Sequence, residues 1–114
     1  METTPEEFER SWRIAGLGAF LCAREAVPDM LNRGAGAIIF TGATSSVRGR
    51  GGAVAFSSAK FAVRGLAQSL AVELWAKGIH VAHVIIDGVI DTPNVRKDLQ
   101  ALSKRSPAPV RFHR

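Results

Sequence analysis

Two short apolar runs constrain this chain more than any other feature. Residues 37–41 read Ala-Ile-Ile-Phe-Thr between glycines, and residues 79–86 read Ile-His-Val-Ala-His-Val-Ile-Ile. Short apolar runs bounded by turn residues suit strands buried on both faces, as in a parallel sheet. Between them, residues 57–76 carry Ala59, Ala62, Val63, Leu66, Ala67, Leu70, Ala71 and Leu74 at helical spacing, with Lys60, Arg64, Gln68 and Glu73 off that stripe. Gly78 is placed to stop this helix. A strand–helix–strand crossover is expected to be right-handed, with its two strands parallel.

An earlier helix precedes this unit. Thr4 suits an N-cap, Pro5 the first helical position, and Glu7 completes a capping box. Phe8, Trp12, Ala15, Ala19 and Cys22 then recur every three or four residues. Pro28 is a kink in a helix expected to reach about Asn32, with Gly34 and Gly36 ending it. The class is α/β: helix, strand, loop, helix, strand. The crossover helix is expected on one face of the strand pair and the first helix on another. Two parallel strands leave unpaired edges, so the pair reads as part of a larger sheet that further chain or a partner supplies.

Composition narrows the function classes. Hydrophobic residues make up 46% and charged residues 22% of 114 residues, an ordinary globular balance for one domain. No apolar run approaches the ~18 residues of a membrane span. The start METTPEEFER lacks a secretory pattern. Cys22 is the single cysteine, which excludes an internal disulfide and a cysteine zinc cage. A reduced, cytoplasmic setting is the expectation. The net charge is +5, yet residues 1–93 hold nine basic and nine acidic side chains, so the whole excess lies beyond them. Residues 1–95 read as the domain, and residues 96–114 as a basic, flexible tail. Nucleic acid is not an expected partner, since no stacking aromatic motif or zinc finger accompanies the charge.

In open parallel sheets, ligands bind beyond the carboxyl ends of the strands. Two segments reach that edge: the Gly/Ser-rich residues 42–55 with the following helix start, and the turn Asp87-Gly88-Val89-Ile90-Asp91-Thr92. Any site should draw on both.

The block GAIIFTGATSSVRG, then AFSSAKFAVRGLAQSLAVELWAKGIHVAHVIIDGVIDT, resembles the C-terminal half of the short-chain dehydrogenase/reductases. The resemblance covers residues 5–95 and implies a partial Rossmann-like, doubly wound parallel sheet without the N-terminal cofactor-binding strands. It implies NAD or NADP as cofactor, and hydride transfer to a small carbonyl or from an alcohol. The family pairs Tyr-x-x-x-Lys, because residues four apart share a helix face. The ammonium holds the ribose and lowers the phenol pKa, and the phenol is general acid or base. Here the pair is Phe56 and Lys60, so the lysine stands without its tyrosine. The family's serine position falls on Ala43, with Ser45 and Ser46 as the nearby hydroxyls, and a supporting asparagine falls on Ala15.

The resemblance also gives cofactor contacts to Lys60, Gly88, Ile90 and Thr92. It implies an inactive fragment of an NAD(P)-dependent oxidoreductase. The alternative is a non-catalytic module pairing through its two long helices, as a homo-oligomer or with a full-length relative. His80 and His83, three apart on a strand, point to opposite faces and make no metal pair. Phe56 is read as packing, Arg48 and Arg50 as solvated loop charges, Trp12 and Trp75 as packing or interface residues, and Cys22 as a buried small hydrophobe.

Overall fold

The computed structural model describes residues 1–103. Helix α1, Pro5–Trp12, begins as its capping box dictates. The Glu7 N–H donates to Thr4 Oγ1 at 3.2 Å, and the Thr4 N–H donates back to Glu7 Oε2 at 3.1 Å. One π-helical turn, Arg13–Leu17, joins it to α2, Gly18–Arg33, which continues through Pro28 and closes on Gly34 in the left-handed conformation. Gly16 of the π turn is buried; a Cβ there would crowd the Trp12 ring at 3.1 Å and meet Ala62 Cβ at an ordinary contact distance of 3.4 Å.

Strand β1 is Gly36–Ala43 and β2 is Ile79–Ile86. They pair in parallel, from Gly36 opposite Ile79 to Ala43 opposite Ile86. A 3-10 turn, Thr44–Ser46, follows β1. Helix α3, Val54–Leu74, then crosses to a 3-10 turn, Trp75–Lys77, and to Gly78 at φ +81°. Helix α3 thus starts three residues before the expected Ser57. Ala55 keeps phase with Ala59, and no side chain caps the helix to mark its start. The last element, α4, spans Pro93–Ser103. The boundary expected at residue 96 falls inside it, and residues 104–114 of the expected tail lie outside the described residues.

Ala23 of α2, Phe40 of β1, and Val63 and Ala67 of α3 form the core, with Ala15, Ala19, Ile38, Leu66, Leu70 and Val81 packed against it. Ile38 lies opposite Val81 and Phe40 opposite His83, so these residues share one sheet face. Both long helices cover that face, which corrects the expectation that the first helix takes another. The alternate residues show the consequence: Ile39 is 68% exposed and Val84 47%. Cys22 is also exposed, not buried. It is next to Ala23, the residue α2 turns to the core, and adjacent helix positions do not share a face. Among the described residues no helix is long and apolar enough to cross a membrane, and no group of ligating side chains is arranged to hold a metal.

Candidate active site

A cleft of about 620 Å³ opens beyond the carboxyl ends of the two strands. It draws on both expected segments: Gly42, Ala43, Thr44, Ser45, Arg48 and Arg50 on one side, and Ile86 through Ile90 with Thr92 on the other. Phe56 and Lys60 of α3 and Val95 of α4 complete it. The two loops are tied together by Thr44 Oγ1, which donates to Asp87 Oδ1 at 2.5 Å. Hydrogen bonds to an ionised acceptor are stronger than neutral ones, and this one links the two loops that border the cleft.

Lys60 lies where α3 passes the end of β1. Its ammonium is 5.6 Å from the centroid of the Phe56 ring and donates to the Thr41 carbonyl oxygen at 3.5 Å. The helical spacing of four brings the pair together, as the sequence anticipates. A phenyl ring attracts the cation with its π face, but it carries no exchangeable proton.

The two candidate serines separate. Ser45 is buried, at 3% exposure, yet borders the cleft. Ser46 is fully buried, and its Oγ accepts the Ala43 N–H at 3.0 Å. That hydroxyl closes the turn after β1 and is not part of the cleft wall. Ala15 sits in the π turn against the core, away from the cleft.

His83 lies beneath this turn. A Cβ on Gly42 would fall 2.2 Å from His83 Nε2 and 2.9 Å from Ser46 Oγ, so glycine is required for the imidazole to pack there. Nε2 is buried without a hydrogen-bond partner. Burial first, then the positive charges of Arg64 and Lys60, hold the imidazole below its ordinary pKa of 6.5. The unfolded chain therefore binds the proton more readily than the folded one. Stability should be fully present above pH 6.5 and fall as pH drops through that value toward the depressed folded pKa. Thermal unfolding followed from pH 7.5 to 5.5 should show this fall, and His83→Gln should flatten it. A pH-independent melting temperature over that range in the parent chain contradicts the account.

Helix α4 forms the far wall. Thr92 caps it, its Oγ1 accepting the Val95 N–H at 3.2 Å, which leaves its hydroxyl proton and one lone pair for a ligand. The Arg96 guanidinium grips Asp91 through two nitrogens, each 2.5 Å from a carboxylate oxygen, and holds that carboxyl below its usual range. Sequence reasoning placed Asp87 in the turn at this edge but missed the helix wall and the part of Val95. The signal was present: Thr92-Pro93 repeats the Thr4-Pro5 helix start.

Comparison with known proteins agrees with this architecture. The family model for short chain dehydrogenase matches residues 1–102, and the chain belongs to that family of oxidoreductases. It is 41% identical over 75 residues to secoisolariciresinol dehydrogenase of Forsythia intermedia, a match covering 66% of this chain and 27% of that protein. A short-chain dehydrogenase structure from Rhodopseudomonas palustris superposes with a TM-score of 0.72 at 43% identity, over 97% of this chain and 51% of that one. A structure of ElxO carrying a single Tyr-to-Phe exchange, with NADPH bound, gives a TM-score of 0.81 at 28% identity, over 90% and 41%. The chain spans about a quarter of that curated relative and about half of the first of these structures.

Proposed function

We propose that this chain carries the nicotinamide end of an NAD(P) site and binds there without hydride transfer. The observation that supports this reading is the pairing of Lys60 with Phe56 at the cleft, with Ala43 at the end of β1. By family resemblance, Phe56 occupies the place of the general acid and Ala43 that of the serine. Neither side chain holds a transferable proton. The cleft suits the nicotinamide and its ribose: it is open, about 620 Å³, and has an ammonium at its base. Lys60 would meet the ribose, the Gly88–Ile90 backbone the carboxamide, and Thr92 the remaining polar groups. The dinucleotide, when bound, supplies or takes the hydride. The ElxO structure shows that a Tyr-to-Phe exchange in that protein is compatible with bound NADPH. A cytoplasmic setting and a small carbonyl or alcohol as the lineage substrate belong to the same reading.

A second reading, pairing through the helices, is favoured by what they leave uncovered. Phe61 and Val72, spaced by three helical turns on α3, are 41% and 83% exposed, and Trp75 is 69% exposed. Trp12 and Phe20 are about half exposed on the first two helices. Large apolar side chains left exposed on both long helices are the kind of surface that a partner helix covers.

One experiment separates the two. Reduced nicotinamide mononucleotide is titrated into the ¹⁵N-labelled chain, with light scattering on the same samples. Binding should shift the amides of Gly88–Thr92, and Lys60→Ala should weaken it about tenfold, the scale of one charge-assisted hydrogen bond. Absorbance with a carbonyl panel should show no nucleotide oxidation. Unshifted amides in a self-associated chain would leave the helix-pairing reading standing alone.

A further inference from the structure

The charge of the cleft is not balanced. Arg48, Arg50 and Lys60 line it against a single carboxylate, Asp87, whose Oδ1 accepts the Thr44 hydroxyl. Asp91 lies outside the lining and is held by Arg96. Among the described residues neither Arg48 nor Arg50 has an ion-pair partner, whereas Arg13 and Arg96 do.

Backbone hydrogen bonds shape the loop that carries the two arginines. The Arg48 N–H donates to the Thr44 carbonyl at 3.0 Å, and the Arg50 carbonyl accepts the Ala53 N–H at 3.2 Å. Both arginine side chains are exposed, so their guanidinium groups are open to a ligand. The opposite wall offers an apolar stretch, Val89, Ile90 and Val95, beside the polar Asp87 and Thr92. Guanidinium forks match planar carboxylate and tetrahedral phosphate oxygens, and a concave basic surface concentrates anions.

We propose that Arg48 and Arg50 make this cleft selective for a small organic oxyanion, a carboxylate or a phosphate ester, whose uncharged part lies against the apolar stretch. The inference rests on the cleft being the ligand site, as in the proposed function, and deepens it by naming the ligand's charge. The oxyanion comes from a substrate-side molecule. The phosphates of the dinucleotide are the competing source, and the test distinguishes the two.

The full chain is titrated with benzoate, phenyl phosphate and the neutral isostere benzamide, followed by amide shifts of residues 44–50 and 86–95. Both anions should bind at least about tenfold more tightly than benzamide, as charge-assisted contacts require. The double variant Arg48→Gln/Arg50→Gln should bring all three to equal affinity, and added salt should do so progressively. Reduced nicotinamide mononucleotide serves as the parallel probe. Benzamide binding as tightly as benzoate overturns the proposal. So does a double variant that keeps the anion preference, or one that weakens only the nucleotide, since the arginines would then serve its phosphate. An anion preference that persists while the nucleotide gives no shifts upholds this inference and removes the cofactor reading.

Discussion

Installing both hydroxyls together, Ala43→Ser with Phe56→Tyr, is expected to raise NADPH-dependent carbonyl reduction by about 10²-fold or more over the parent chain. Loss of a general acid–base group costs about 10²–10⁴ in rate, and the reverse exchange should recover the lower end of that range. The geometry favours the gain. Phe56 is about half exposed at the cleft, with the Lys60 ammonium 5.6 Å from its ring. A phenol in that place meets a cation that stabilises its ionised form and lowers its pKa. Each single variant should fall well short, because a tyrosine without the serine lacks a partner on the substrate oxygen, and a serine alone has no proton donor of suitable pKa. Adding Lys60→Ala to the double variant should abolish the gain. The check is loss of nucleotide absorbance with a panel of aldehydes and ketones. A double variant as inert as the parent, while still binding reduced nicotinamide mononucleotide, would sink the assignment of these two positions.

Gly78→Ala should be the most damaging single substitution outside the core. At φ +81° an alanine costs roughly 1–2 kcal/mol in left-handed strain. Its Cβ would also fall 2.3 Å from the Gly34 carbonyl oxygen, a backbone atom that cannot rotate away. Displacing packed atoms adds about 1–3 kcal/mol. A loss of about 2–5 kcal/mol is a large part of the stability of any small domain. Gly34→Ala is the internal control. It has φ +64° and open space at the Cβ, so it should show the strain alone. Urea unfolding should place the Gly78→Ala midpoint clearly below that of Gly34→Ala. Equal midpoints would mean that the turn shifts freely and the contact with Gly34 does not hold the strand register.

The two glycines show how local and tertiary information divide. Both were legible as helix stops, because glycine tolerates the left-handed cap. Their contact was not, since it brings together the ends of two helices 44 positions apart in the chain. The same division runs through the site. Spacing placed Phe56 and Lys60 on one helix face, and the strand-end rule placed both loops at the cleft. The difference between Ser45 and Ser46 depends on a hydrogen bond to Ala43 that only the turn geometry reveals. Reading residues beyond 95 as a tail hid the α4 wall, because charge drew attention from the Thr-Pro start signal.

Periodicity and residue chemistry determined the elements of this protein. They defined an α/β unit with parallel strands, a phenylalanine and a lysine on one helix face, and a carboxyl-end edge for any ligand; the family resemblance adds that the phenylalanine stands in a proton donor's place. These follow from interactions between residues within one or two helical turns or along one strand. Tertiary structure decided the rest. It put both long helices on one sheet face, left Ile39 and Val84 exposed, moved Cys22 outward and brought Arg48 and Arg50 to the same cleft as Lys60. Those outcomes depend on which of several apolar surfaces meet, and that choice is made by close packing between distant segments, as where Ala23 and Phe40 meet Val63 and Ala67.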